Sequence, residues 1–202
     1  MRTKSVVQAR CVVFVAIAFS CMALKAVGGC RDFKSTDFYN RAYEIRSRDS
    51  FKGKPYKFQA SLRNGTYEEP HEAQVLSYTY AKIKSVRFGA SRGEDQDEAV
   101  VAIDYGAASA SFVLTAYFVF GCVGGRPRLI GSIDQDDLQT RTSEMVHESI
   151  AEPVYISKRV IFIRHGAGGS RPSPTFIATF RYTIRGHQLR PFGTTLYERS
   201  VK

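Results

Sequence analysis

Cysteine and histidine are the residues of this chain best suited to chemistry, and their spacing narrows what that chemistry is. The cysteines stand at Cys11, Cys21, Cys30 and Cys122. None forms a Cys-x-x-Cys pair, which argues against a thioredoxin-like redox centre or a zinc ribbon. Cys11 and Cys21 fall in an apolar stretch, so in an oxidising compartment Cys30 and Cys122 are the pair left for a disulfide. The alternative for Cys122 is a small apolar core residue at a strand end. The histidines (His71, His147, His165, His187) lack both a His-x-x-x-His spacing and the glutamate of a metalloprotease helix. A Gly-x-Ser-x-Gly elbow and a Gly-x-x-x-x-Gly-Lys phosphate loop are also missing. Gly166-Ala167-Gly168-Gly169-Ser170 runs into Arg171-Pro172-Ser173-Pro174, which no helix can follow directly, so it reads as a flexible hairpin loop. Such a chain is not expected to be an enzyme. A hydrolase would need a concave pocket holding His147 or His165 beside a carboxylate.

The first 26 residues carry an address. Arg2, Lys4 and Arg10 lead into an apolar run from Cys11 to Leu24, followed by small residues around Ala26 to Gly29. That is the layout of an export signal. A spanning helix needs about 20 apolar residues, and Lys25 ends this run first, which disfavours a permanent anchor. Cleavage after Ala18 or Ala26 yields a free exported form. The leader also resembles a bacterial lipoprotein signal at Ile17-Ala18-Phe19-Ser20-Cys21 and at Val27-Gly28-Gly29-Cys30, which makes Cys21 and Cys30 the candidate lipidation sites. Lipid on Cys30 would leave Cys122 without a partner.

Charge remains positive without the leader. The chain has 29 Lys and Arg against 19 Asp and Glu, and the leader takes four of the basic residues and no acid, so 25 against 19 leaves +6. In an envelope this favours anionic neighbours such as phospholipid head groups, lipopolysaccharide or wall polymers, rather than nucleic acid. The basic residues are scattered, and solvated strand faces explain that distribution as well.

The elements that must position these residues are strands. Phe176, Ala178, Phe180, Tyr182 and Ile184 alternate with Ile177, Thr179, Arg181, Thr183 and Arg185, the period of a strand with one covered face. Ala110 to Gly121 is apolar on both faces, as in a strand between packed layers. Ala99–Tyr105, Arg128–Ile133 and Val154–Ile163 read as further strands, the last with Lys158 and Arg159 at its centre near an edge or a wet face. Asn64-Gly65 predicts a two-residue hairpin turn. Helix is scarce: Phe38–Ile45 is a candidate, with Asp37 as N-cap, and Thr140–Glu152 leans to strand at Glu144–Ser149. The expected organisation is an export signal at 1–26, a polar tether at 27–50 and one β-rich domain at 51–202. Its fold is mainly β, a single antiparallel twisted sheet or a partly closed barrel or sandwich with one or two short helices, and the 99–120 hairpin at its centre.

Phe88 to Val101, read as FGASRGEDQDEAVV, resembles the "YGDLTGDGxDEAVV" strand-loop-strand element of exported bacterial β proteins related to FG-GAP and VCBS-type repeats, and Leu62 to Glu68 resembles the "LxNGxYE" phrase found upstream of it. The resemblance implies an acidic hairpin loop, with Glu94, Asp95, Asp97 and Glu98 as the candidate calcium ligands. Ala90 stands at the family's first acidic position and Asp95 replaces its turn glycine, so weak calcium binding or a solvated turn is expected. Three function classes follow: a non-catalytic exported binding or assembly module of the envelope, periplasmic, outer-membrane-associated or secreted; a calcium-dependent adhesion or ligand-binding domain; and an envelope hydrolase.

Overall fold

A computed structural model describes residue 30 and residues 33–49, 54–68, 79–89, 97–107 and 113–200. In chain order the elements are β1 (Ala42–Asp49), β2 (Lys54–Ser61), β3 (Thr66–Glu68), β4 (Thr79–Gly89), β5 (Glu98–Ala107), β6 (Leu114–Val123), β7 (Arg126–Ile133), α1 (Gln135–Gln139), β8 (Val146–Ser157), β9 (Val160–Ser170), β10 (Ser173–Arg185), β11 (Gln188–Pro191) and β12 (Leu196–Arg199). The protein is mainly β. Its ladders are antiparallel and form a central sheet ordered β3-β4-β5-β6-β7, an outer sheet ordered β11-β10-β9-β8 with β12 also on β10, and a β1-β2 hairpin. The sheets do not close into a barrel, and the single-sheet alternative gives way to stacked layers.

The doubly apolar strands explain the stacking. On one face of the central sheet, Ala99, Val101, Ile103, Ala116, Phe118 and Phe120 pack against the N-terminal segment and the β1-β2 hairpin. On the other, Val100, Ala102, Tyr117 and Val119 pack against Ile161, Ile163, Ala178 and Phe180 of the outer sheet. A strand covered on both sides has no polar face to offer water, so β5 and β6 lie in the middle layer. Burying each large apolar side chain there contributes about 1.5–3 kcal/mol.

Four expectations need correction. The 27–50 span is not a polar tether where it is described: Phe33 and Phe38 are 1% exposed, and Tyr43 and Ile45 are equally sealed. Asp37 does accept from the backbone N–H of Tyr39 (2.9 Å) and Asn40 (3.0 Å), but no helix follows. Tyr43 and Ile45 alternate inward against Glu44 and Arg46 outward, and that period of two makes β1. Lys158 and Arg159, expected in mid-strand, both take positive φ (47° and 66°) and form the turn between β8 and β9. Gly166, Ala167 and Gly168, expected in a loop, are buried within β9, because a Cβ on Gly166 would sit 3.0 Å from Pro174 of the neighbouring strand.

The Asn64-Gly65 turn forms as expected, with φ of 51° and 80° and paired Arg63 and Thr66 bonds of 2.8 and 3.1 Å. Its flanking strands then diverge, β2 to the hairpin layer and β3 to the central sheet. Helix α1 had not been expected. Asp134 and Asp137 cap it reciprocally (2.9 and 3.0 Å), and Gln139 pairs with Glu144 and Val146 at the start of β8.

Candidate functional site

Among the described residues a polar cluster lies between the central and outer sheets, and two irregularities of the backbone build it. The β4-β5 register shifts between Ile83 and Ser85, leaving Lys84 as the extra residue, and the β8-β9 ladder breaks on both sides of Ser149. Bulges of this kind re-aim side chains. Lys84 Nζ donates to Ser149 Oγ (2.7 Å) and lies 3.6 Å from Asp104 Oδ2. Thr115 donates to Asp104 Oδ1 (2.7 Å), so the 2.8 Å contact between Thr115 and Ser149 is donated by Ser149. The four groups form a closed ring. A lysine beside a serine is the pairing that elsewhere makes a base and a nucleophile. Here the amine donates to the hydroxyl and faces a carboxylate, the arrangement of an ion pair.

Deeper in the same interface stands His165, fully buried. Its Nδ1 lies 2.9 Å from the His147 carbonyl and its Nε2 2.6 Å from the Tyr117 hydroxyl. A carbonyl can only accept, so Nδ1 carries the hydrogen and Tyr117 donates to Nε2. Burial is the first cause that lowers the His165 pKa, to about 4, and it raises that of Tyr117 well above a free phenol. His147 Nε2 donates to Gly168 O at 3.0 Å, while its Nδ1 is buried without a partner. The hydrolase expectation required one of these histidines in a concave pocket beside a carboxylate. Both are sealed, and neither lines the two clefts below.

The larger cleft, about 580 Å³, lies between β7, α1 and β11 and is lined by Ile130, Ile133, Asp137, Arg141, Tyr182 and Arg190 among others. Arg141 is held in its wall by bonds to the carbonyls of Arg181 (3.0 Å) and Gly193 (2.9 Å), with its guanidinium 4.8 Å over the Tyr182 ring. Burial raises the pKa of Asp137 and of Tyr182. The smaller cleft, about 210 Å³, joins Asp97, Glu98, Cys122, Arg159 and His187.

The residues singled out from the sequence are distributed as follows. Cys30 and Cys122 form a disulfide with a Cα separation of 5.6 Å across 92 residues. A sulfur in a disulfide carries no thioether, so lipidation at Cys30 is incompatible with this structure, and Cys21 lies outside the described residues. Of the candidate calcium ligands, Glu94 and Asp95 also lie outside them, Asp97 is half-buried and Glu98 is 4% exposed. Among the described residues no three His, Cys, Asp or Glu gather as a metal site, and no helix is long and apolar enough to cross a membrane. The Lys84–Asp104–Thr115–Ser149 ring had no local signal, since it joins residues from four strands. Asp134 and Asp137 three residues apart were a readable sign of α1. Comparisons with protein-family models, curated proteins and solved structures found no match to this chain.

Proposed function

We propose that the chain is an exported, non-catalytic β-domain serving as a binding or assembly module of the cell envelope. The observation that carries this reading is the Cys30–Cys122 disulfide. Disulfides persist in oxidising compartments and are reduced in the cytosol, and this one joins the segment directly behind the apolar leader to the middle layer of the domain. The polar ring supports a non-catalytic role, because Lys84, Asp104, Thr115 and Ser149 satisfy one another. The cleft between β7 and β11, with Arg190 on its rim, is the place for an anionic envelope ligand.

The test is the intact mass of the protein recovered from the host envelope, before and after thiol alkylation. The expected result is a form lacking the leader, either starting near Val27 or lipidated at Cys21, in which neither Cys30 nor Cys122 reacts. A full-length form with reactive Cys30 and Cys122 in the cytosol would overturn the reading.

A further inference from the structure

Three hairpin turns converge on the end of the domain from which the N-terminal segment leaves. The β6-β7 turn (Gly124, Gly125), the β8-β9 turn (Lys158, Arg159) and the β10-β11 turn (Gly186, His187) all lie there. Cys122, Arg159, Gly186 and His187 line one cleft, and Cys30 is bonded to Cys122. A Cβ built on Gly124, Gly125 or Gly186 would meet nothing within 4 Å, so these tips stand clear of the rest of the fold. Arg126, Arg128, Lys158, Arg159 and Arg185 are exposed on or beside them, and Lys34 is exposed four residues after Cys30. Of the acids near this end, Asp97 is half-buried, Glu98 is buried and Asp37 is exposed beside Phe38, which packs on Phe88 and Phe120; Glu94 and Asp95 lie outside the described residues.

Resting on the exported reading above, we infer that this end is a membrane-facing surface that docks on anionic lipid head groups. Two observations make a bilayer the occupant. Exposed cations on protruding tips match a plane of phosphates, where each contributes near the surface. The chain outside the described fold also begins here. Cys30 pins the start of the domain to this end, and the apolar leader, ending at Leu24 with a lipidation candidate at Cys21, lies only a few residues upstream. Cys21 to Cys30 is nine residue steps, a reach of at most about 30 Å, so in the form lipidated at Cys21 the lipid holds this end against the surface and directs the opposite end, with Glu68 and Tyr80, away from it.

The chain has no tryptophan, which makes a single introduced one a position reporter. His187→Trp marks the proposed docking end, and Glu68→Trp, exposed on β3, marks the opposite end. Each variant, expressed from the whole chain and recovered in its processed form from the host envelope, is added to vesicles of one part phosphatidylglycerol to three parts phosphatidylcholine carrying a dansyl head group. Energy transfer from His187→Trp should exceed that from Glu68→Trp several-fold, since the strands between them span about 30 Å. Reversing three cations (Arg126→Glu, Arg128→Glu, Lys158→Glu) should weaken binding at least about tenfold and abolish the difference. Equal transfer from both ends, greater transfer from Glu68→Trp, no binding by the unreversed protein, or binding indifferent to charge reversal would each overturn the inference. Alkylation of the same preparation separates this from the compartment: reactive Cys30 and Cys122 with oriented docking would sink the exported reading and leave the docking surface standing.

Discussion

The Tyr117 hydroxyl donates to Nε2 of His165 across 2.6 Å, a bond between β6 of the central sheet and β9 of the outer sheet. Both residues are buried, and the bond is satisfied only while His165 is neutral. The sign of its pH dependence follows. The His165 pKa is lowered from 6.5 to about 4, so between these values the unfolded chain binds the extra proton. The stabilisation is complete above pH 6.5 and is lost as pH falls towards 4, by about 3 kcal/mol in all. Urea unfolding at pH 7 and pH 4.5 should show this loss, and His165→Gln should flatten the slope. A slope unchanged in that variant would mean that His165 is not the titrating group.

Tyr117→Phe removes the donor and leaves Nε2 an unsatisfied buried acceptor. The expected loss is about 1–3 kcal/mol at neutral pH. A midpoint within error of the parent would place a water or another donor at that nitrogen.

Lys84 and Asp104 hold the neighbouring ring together, with side chains 22% and 27% exposed. Lys84→Met leaves the carboxylate without its cation and should cost about 1–3 kcal/mol, of which Lys84→Met with Asp104→Asn recovers a part. A double-mutant cycle with no coupling would refute the ion-pair account of Ser149 and restore interest in it as a nucleophile.

The Cys30–Cys122 link closes a long loop, so its loss acts largely on the unfolded chain. Reduction, or Cys30→Ser with Cys122→Ser, should destabilise the domain by about 2–5 kcal/mol. The melting temperature with and without reductant reads this directly. Amide exchange should accelerate first around Phe33 and Phe38, where Phe33 packs on Phe38 and Phe38 packs on Phe88 and Phe120.

Gly89 lies close against Ile156, where β4 meets β8. A Cβ there would lie 2.4 Å from Ile156 Cγ2 and 2.6 Å from its Cβ. Gly89→Ala should therefore cost about 1–3 kcal/mol, and Ile156→Ala should rescue it only in part, because the Ile156 Cβ remains. Full tolerance of Gly89→Ala would mean that the two sheets slide freely at this point.

Strand identity was legible wherever a period of two ran unbroken, as from Phe176 to Ile184, and the turn at Asn64-Gly65 was legible because both positions require positive φ. The doubly apolar 110–121 stretch announced a middle layer. Two local patterns were readable but misassigned: Tyr43 and Ile45 alternate in a segment whose polar neighbours suggested a tether, and Lys158-Arg159 is a turn inside what looked like one long strand. The polar ring was not legible at all. Lys84 and Ser149 reach each other only because two bulges turn them into the same interface, and bulges answer to the packing of neighbouring strands rather than to local composition. The sequence by itself determined the β class and the central strands, since these depend on composition and on a side-chain period set by the backbone. Tertiary structure alone decided which layer covers each face, which cations share one end with the Cys30–Cys122 link, and that His165 is held neutral, because each depends on residues far apart in the chain being brought within a few ångströms.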